Sequence, residues 1–293
     1  MPTIAVDDIE LCYESFGSDD APPVLLVMGL GAQMTLWSPG FISELLERGF
    51  RVIRFDNRDV GLSTKTAGPP PDVMAIYGAA LAGEPVEAPY SLGTMAADAV
   101  GLLDALGIRA AHVVGASMGG MIVQMMAIGH PERVLSMTSI MSTTGANDVG
   151  QPDPAAMTAL LTPPPTDRAG AIEATVVTSR VIAGALFDED EARARAAEAY
   201  DRCFHPAGSA FHIAAVAATG DRTERLRAVD IPTLVVHGRQ DPLVTLSGGE
   251  ATAAAVPGAD LLVFGQMGHD LPPVYWPQLA DAVFAIAVRA ASA

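Results

Sequence analysis

Ser117 is a lone hydroxyl enclosed by small residues where two apolar segments meet, in AHVVGASMGGMIVQMM from Ala111 to Met126. The residues AHVVG predict a buried strand, and the residues after the serine predict a helix that continues to about Gly129. A sharp strand-to-helix turn forces its central residue into strained backbone angles, and bulky neighbours would clash there. The pattern Gly-x-Ser-x-Gly therefore predicts that Ser117 is held out at the carboxyl end of a sheet. The alternative is a glycine-rich helix cap in which the serine is incidental.

Short apolar segments bounded by glycine or proline alternate with segments of helical spacing along most of the chain. We predict strands at residues 9–16, 22–29, 51–56, 111–115, 133–142, 231–238 and 259–265, and helices at residues 41–48, 92–106, 118–129 and 275–290. Strands that alternate with helices indicate a mostly parallel central sheet with helices on both faces. The predicted fold class is therefore α/β.

The middle of the chain interrupts this alternation, because residues 143–226 contain proline clusters and alanine-rich helical segments but no convincing strand. We predict helices at residues 169–186, from Asp188 and Glu189 onward, and near residues 209–218. A block of helices between two strands predicts a cap over one edge of the sheet. The predicted organisation is a core domain of residues 1–142 and 227–293 and a helical cap of residues 143–226.

Composition excludes several classes of function. The chain has 293 residues, of which 50% are hydrophobic, so it can bury a large core. Its formal net charge of −17 argues against nucleic acid or an anionic membrane as a partner. The two cysteines, Cys12 and Cys203, lie far apart, and no histidine or cysteine cluster has metal-ligand spacing. We therefore predict that the protein uses no metal or cofactor. The N-terminus resembles no signal peptide and no apolar segment is long enough for a membrane span, so we also predict a cytoplasmic location.

A serine hydroxyl is a poor nucleophile without a base, and His269 is the best placed of the six histidines. It lies in VFGQMGHDLPP, a glycine-flanked loop between the last predicted strand and the last helix, at the edge of the sheet predicted for Ser117. The base needs an acid that orients it, and Asp241 follows the end of the strand IPTLVVHG at the same edge. Asp148 is the main rival for this role, and Asp241 could also be an ordinary turn residue. Asp270 adjoins the histidine but should point elsewhere.

Four motifs together resemble the α/β-hydrolase superfamily over nearly the whole chain: VVGASMGG, VVHGRQDPLV, FGQMGHDLP and FDNRDVGLS. The last is similar to the family's D-x-R-G-x-G-x-S loop, with Asp59 in place of the first glycine. Within the superfamily, LLVMGLGAQ, RVIRFDNRD and the helical cap most resemble the bacterial aclacinomycin methylesterase branch, which removes a methyl ester from a polyketide antibiotic. The resemblance implies the α/β-hydrolase fold and the triad order Ser117, Asp241, His269.

The resemblance also implies an oxyanion hole of two backbone N–H groups. One would come from Met118, the residue after the nucleophile, and the other from Leu30, in the loop after the strand PPVLLVMG. Many relatives have His-Gly in this loop, where this chain has Met28-Gly29. Backbone donors do not depend on side-chain identity, so the missing histidine need not abolish the hole. The alternative for Met28 and Leu30 is simple core packing.

These residues predict a serine hydrolase that cleaves carboxylic esters of hydrophobic small molecules through an acyl-enzyme. The serine disfavours dehalogenase and epoxide-hydrolase chemistry, which need an aspartate nucleophile. Cofactor-free haloperoxidase or perhydrolase activity, acyl transfer and carbon–carbon bond hydrolysis would use the same triad, and a ligand receptor on a hydrolase scaffold is a further alternative.

The apolar cap, with Met157 inside it and Met141 near its start, predicts a mobile lid and an uncharged, medium-to-large ester. These residues could instead only pack the cap onto the sheet. The oligomeric state is left open.

Overall fold

The computed structural model describes residues 1–292, without the side chain of Leu81. The strands are β1 (Thr3–Val6), β2 (Ile9–Phe16), β3 (Pro23–Val27), β4 (Arg51–Phe55), β5 (Ala111–Ala116), β6 (Val134–Ile140), β7 (Thr233–Gly238) and β8 (Asp260–Phe264). The α-helices are α1 (Pro39–Glu47), α2 (Val73–Ala82), α3 (Leu92–Ala105), α4 (Met118–Gly129), α5 (Pro154–Leu161), α6 (Arg168–Ile182), α7 (Glu189–Arg202), α8 (Ala207–Thr219), α9 (Thr223–Leu226), α10 (Leu246–Ala255) and α11 (Trp276–Ala291).

Within the described residues the strands form one sheet in the order β1-β2-β4-β3-β5-β6-β7-β8. The strand β2 runs antiparallel to β1 and β4, and all the other pairings are parallel. The predicted α/β class with a mostly parallel sheet is thus confirmed. The order reverses at β3, so the carboxyl ends of β3, β5, β6, β7 and β8 all open onto one edge, where the connecting loops meet.

Alternate side chains of each central strand enter two different apolar clusters. Leu25 and Val27 of β3 pack under α3 and α4, whereas Val24 and Leu26 pack under α1 and α11. All four side chains are fully buried. A strand covered on both faces needs apolar residues at every position, which explains why the central strands read as continuous apolar segments.

The structure also contains elements that the sequence did not predict. The strand β1 is short and joins β2 through a tight turn in which Asp7 has a φ of +49°. Helix α5 begins at Pro154, because proline fits the first position of a helix, where its missing N–H is not needed. Helix α10 contains Gly248 and Gly249, and a Cβ at Gly249 would lie 2.4 Å from the His237 ring, so close packing requires glycine there. Helix α6 ends at Ile182, four residues before the predicted residue 186.

Helix α6 packs against α5 and α7, but α8 packs against α2 and α3. The α8 side chains Phe211 and Ala215 belong to the larger apolar cluster beneath α3 and α4. Part of residues 143–226 therefore contributes to the core. None of the described helices combines the length and apolar character that crossing a membrane requires.

Arg222 links the segment that follows β6 to the segment that precedes α9. Its side chain is 1% exposed and donates to Gln124 Oε1 at 3.0 Å and to the carbonyl oxygens of Gly220 and Thr143 at 2.8 Å each. Its backbone N–H donates to Thr144 O at 2.9 Å. Burial lowers the pKa of Arg222 to about 10, which leaves the guanidinium charged at neutral pH.

We expect Arg222→Met to lower the free energy of unfolding by about 3 kcal/mol, because one amide and two carbonyl groups would lose their buried donor. Urea unfolding followed by circular dichroism measures the change. Arg225→Met is the matched control: Arg225 is exposed three residues along the chain, and its loss should change stability by less than about 0.5 kcal/mol. Equal effects of the two substitutions would contradict the assigned role of Arg222.

Candidate active site

The turn between β5 and α4 holds Ser117 with φ +57° and ψ −120°, a strained conformation for a residue with a side chain. A Cβ on Gly115 would lie 2.1 Å from the Gly119 carbonyl oxygen, and a Cβ on Gly119 would lie 2.1 Å from Val27 O. Both positions therefore need glycine because backbone approaches them closely. The Ser117 N–H donates to Ile140 O at 2.8 Å, which fixes the turn to β6. The strained strand-to-helix turn predicted from the sequence is present.

His269 and Asp241 form a hydrogen-bonded chain with this serine. The His269 Nε2 atom lies 2.9 Å from Ser117 Oγ, and its Nδ1 atom lies 2.7 Å from Asp241 Oδ2. A carboxylate can only accept, so Nδ1 carries the proton and Nε2 is free to accept the serine proton. The Asp241 side chain is fully buried, and its Oδ1 accepts from Leu243 N and Val244 N at 2.9 Å each. The acid is thus oriented by its own turn.

The rival acid lies elsewhere. Asp148 is exposed, and its carboxylate makes no hydrogen bond or ion pair with any described residue. His237 of β7 is fully buried next to Asp241, with its Nε2 atom 2.7 Å from Val244 O and 3.6 Å from Asp241 Oδ2. Burial lowers the pKa of His237, which favours a neutral imidazole. The Asp270 carboxylate accepts from the backbone N–H groups of Gly268 and Gly184 and makes no hydrogen bond with His269 or Ser117.

Two backbone N–H groups near the serine are available to a ligand. Gly29 lies against Ser117, since a Cβ built on Gly29 would be 3.1 Å from the serine Cβ and 3.6 Å from its Oγ. Leu30 follows in this loop, and Met118 follows the serine itself. Neither the Leu30 nor the Met118 N–H donates to another group of residues 1–292. Their role as an oxyanion hole stays a prediction.

The loop after β4 supports the segment after β3, and the sequence did not predict this contact. Asn57 Nδ2 donates to Met28 O at 2.9 Å, and Asp56 Oδ1 accepts from Met34 N at 2.9 Å. In the same loop Asp59 takes the left-handed φ of +68° where the family pattern has glycine. Its carboxylate accepts from Tyr90 Oη and from Thr66 N and Oγ1, which stabilises the unusual backbone. The motif FDNRDVGLS was the signal for this loop, although its contacts could not be read from it.

The end of α6 and the linker that follows it lie directly against the histidine loop. The His269 N–H donates to Ile182 O at 2.7 Å. Gly184 and Gly268 face each other so closely that a Cβ on Gly268 would lie 2.3 Å from Gly184 N. Asp270 Oδ1 accepts from Gly268 N at 2.8 Å and Gly184 N at 3.3 Å. Residues of the predicted cap thus hold the backbone of the histidine.

Comparison with known proteins places this geometry in a family. A family model described as the alpha/beta hydrolase fold matches residues 22–273. The chain belongs to the α/β-hydrolase fold family. Fold class and superfamily are therefore as predicted. The enol-lactonase from Burkholderia xenovorans LB400 has the same fold, with a TM-score of 0.71 and 24% identity over 100% of both chains.

Two curated relatives narrow the class within the α/β-hydrolases. Rhodomycin D methylesterase DnrP of Streptomyces peucetius is 30% identical over 97% of this chain and 98% of its own length. Rhodomycin D methylesterase DauP of Streptomyces sp. (strain C5) is also 30% identical, with the same coverage. They agree with the predicted similarity to the aclacinomycin methylesterase branch, and they confirm a hydrolase of the carboxylic ester class. The similarity does not identify the catalytic residues or the reaction steps, and these are inferred from the geometry of the site.

Proposed function

We propose that the protein is a serine hydrolase that cleaves carboxylic esters of hydrophobic small molecules through an acyl-enzyme. One observation carries the proposal: a continuous hydrogen-bonded chain runs from the buried Asp241 through His269 to Ser117 on its strained turn. That arrangement activates a hydroxyl for attack on a carbonyl carbon. The two methylesterase relatives support an ester as the substrate.

In the first half-reaction, Ser117 Oγ attacks the ester carbonyl and its proton moves to His269 Nε2. Asp241 stabilises the resulting imidazolium through Nδ1–H. The N–H groups of Leu30 and Met118 would receive the negative oxygen of the tetrahedral intermediate, and one such donor contributes on the order of 3 kcal/mol in the transition state. Collapse breaks the bond to the alcohol, which leaves with the proton from Nε2.

In the second half-reaction, water attacks the acyl-enzyme and gives its proton to His269 Nε2. The second tetrahedral intermediate releases the carboxylic acid, and Ser117 Oγ recovers its proton. Perhydrolysis or acyl transfer would replace this water by peroxide or by an alcohol, with the same triad. Product analysis with each nucleophile separates these reactions, and we expect the free acid to dominate in water.

The proposal is tested by a fluorophosphonate probe and a panel of esters. We expect covalent labelling of the purified protein, with mass spectrometry placing the probe on Ser117, and turnover of at least some neutral esters. A ligand receptor built on the same scaffold would neither label nor hydrolyse. Labelling at another residue would contradict the assignment of the nucleophile.

The net charge of the chain and its two methylesterase relatives favour a neutral substrate. Met157 of α5 is half-buried and Met141 is buried in the apolar cluster under α1 and α11, and both stay predicted contacts of the substrate. The formal net charge of −17 disfavours anionic ligands, although salt screens that effect. A methyl ester on a bulky apolar acid is suggested by the two relatives. The division into residues 1–142 with 227–293 and residues 143–226, and a cytoplasmic location, stay predictions.

We expect methyl esters of bulky apolar acids to have a kcat/KM at least about tenfold above that of methyl esters carrying a carboxylate at the same size. An apolar site, as the cap predicts, would not repay the cost of removing water from that carboxylate. Steady-state kinetics on size-matched neutral and anionic pairs with a common methyl alcohol provides the measurement and its control. Highest efficiency on small or anionic esters would contradict this preference.

A further inference from the structure

Helix α8, which lies within residues 143–226, contacts the candidate oxyanion loop, residues 28–34. A Cβ on Gly208 would lie 2.1 Å from Asp59 O, so the helix runs directly over the loop that follows β4. Phe211 stacks on Tyr90 with ring centroids 6.4 Å apart, and this ring pair fixes the helix from the side. The next residue, His212, is therefore carried into the interior between two loops.

His212 is fully buried and uses both ring nitrogens. Its Nδ1 atom lies 3.1 Å from Gly31 N, and its Nε2 atom lies 2.8 Å from Arg58 O. A backbone N–H can only donate and a carbonyl oxygen can only accept, so Nδ1 is the bare nitrogen and Nε2 carries the proton. The doubly protonated ring would set two donors against each other at Gly31. Burial lowers the pKa of His212, which favours the neutral form that these partners need.

Gly31 follows the candidate oxyanion donor Leu30, and it has a left-handed φ of +65°. On the other side of this donor, the Met28 carbonyl accepts from Asn57 Nδ2 at 2.9 Å. The peptide that carries the Leu30 N–H is therefore held between two hydrogen bonds, one from Asn57 and one to His212.

The second partner of His212 is itself rigidly placed. The Arg58 guanidinium forms two hydrogen bonds of 2.6 Å with the Asp98 carboxylate and lies 4.9 Å from the centre of the Tyr90 ring. All three side chains are largely buried. The Arg58 carbonyl thus offers a fixed point from which the imidazole can hold Gly31.

We propose that His212 is a positioning residue for the oxyanion hole: through Gly31 it sets the orientation of the peptide that presents the Leu30 N–H. This role rests on the proposed serine hydrolase function. The imidazole makes its hydrogen bonds to Gly31 and Arg58 and none to Ser117, so it would act only through the loop. Because the tetrahedral intermediate needs the donor more than the ground state does, loss of this support should lower kcat and leave KM nearly unchanged.

The test compares His212→Leu, which removes the acceptor, with His212→Asn, whose amide oxygen can take the place of Nδ1. We expect His212→Leu to lower kcat by about 10- to 100-fold, with KM within about twofold and with slower labelling of Ser117 by a fluorophosphonate. His212→Asn should restore most of the rate. The matched control is His112→Leu: His112 is also buried, its pKa is lowered to about 4 by burial, and its Nδ1 atom bonds Ser136 Oγ at 2.8 Å near the opposite end of β5.

Hydrogen–deuterium exchange gives a reading that does not depend on activity. In His212→Leu the Gly31 amide, which loses its acceptor, should exchange faster than in the wild type, whereas His112→Leu should leave it unchanged. The proposal is overturned if folded His212→Leu keeps kcat within about threefold, if His112→Leu loses as much, or if exchange in the loop does not change. A wild-type protein that neither labels nor hydrolyses would refute the proposed function instead, and the exchange measurement would still decide whether His212 holds the loop.

Discussion

Replacing Ser117 by alanine should lower kcat/KM for ester hydrolysis by at least about a thousandfold and abolish labelling by a fluorophosphonate. The methyl group cannot attack a carbonyl, and among the described residues neither His269 nor Asp241 makes a hydrogen bond with a second hydroxyl that could replace it. Binding and the oxyanion donors would remain, so a small residual rate is expected rather than none. Steady-state kinetics and intact-mass spectrometry measure the two effects.

The control for this substitution is Ser142→Ala. Ser142 is a buried serine beside α4, and its hydroxyl has no hydrogen-bond partner among the described residues, so its removal should leave turnover and labelling unchanged. Circular dichroism should show that both variants are folded. Retained turnover in Ser117→Ala would show that another group is the nucleophile.

Asp241→Asn should reduce kcat by on the order of 10⁴-fold, because it would impose the wrong tautomer on the histidine. The Oδ1 position accepts from two backbone N–H groups, of Leu243 and Val244. The amide oxygen of asparagine must therefore remain there, and its NH₂ group must occupy the Oδ2 position, facing His269 Nδ1. The imidazole would then carry its proton on Nε2 and could not accept the proton of Ser117. Single-turnover kinetics of acyl-enzyme formation measures the loss directly.

Asp148→Asn provides the comparison, since this exposed carboxylate has no partner among residues 1–292 and also follows a central strand. It should change kcat by less than about twofold. The opposite result, with a crippled Asp148→Asn and a mild Asp241→Asn, would move the acid to the loop after β6.

The candidate triad could be placed from the sequence because the fold obeys a simple rule. Parallel strands end at the same edge, so the residues after β5, β7 and β8 must meet there. The strands themselves were recognisable since β3 and β5 are covered on both faces and are apolar at every position. The choice between Asp241 and Asp148 was open because each follows a strand that ends at that edge. The hydrogen bond between His269 Nδ1 and Asp241 Oδ2 shows which carboxylate faces the histidine, and the turn at Leu243 and Val244 orients it.

The supporting contacts could not be predicted for a different physical reason. His212 lies 181 residues from Gly31 in sequence, and a lone histidine in an alanine-rich helix carries no signal of its partner. Helix α8 carries no charged residue, unlike α6, but both lie among the alanine-rich segments that were assigned to the cap, and the packing of α8 on the core was not predicted. Likewise Gly184 has an ordinary negative φ, and its need for glycine arises from a backbone 84 residues away.

The contacts that residues 143–226 make with the histidine loop and the oxyanion loop have a consequence for recombination among related enzymes. An inserted segment over the sheet is the natural unit to exchange when a new substrate is wanted. In this chain residues 143–226, the predicted cap, supply the carbonyl of Ile182 that accepts from His269 N and the imidazole of His212 that accepts from Gly31 N. A chimera with a foreign insertion would lose both supports unless its donor brought equivalents of them. An exchange of this segment that changes the substrate would therefore also change turnover. The residues that support His269 and Gly31 must be transferred together with the segment.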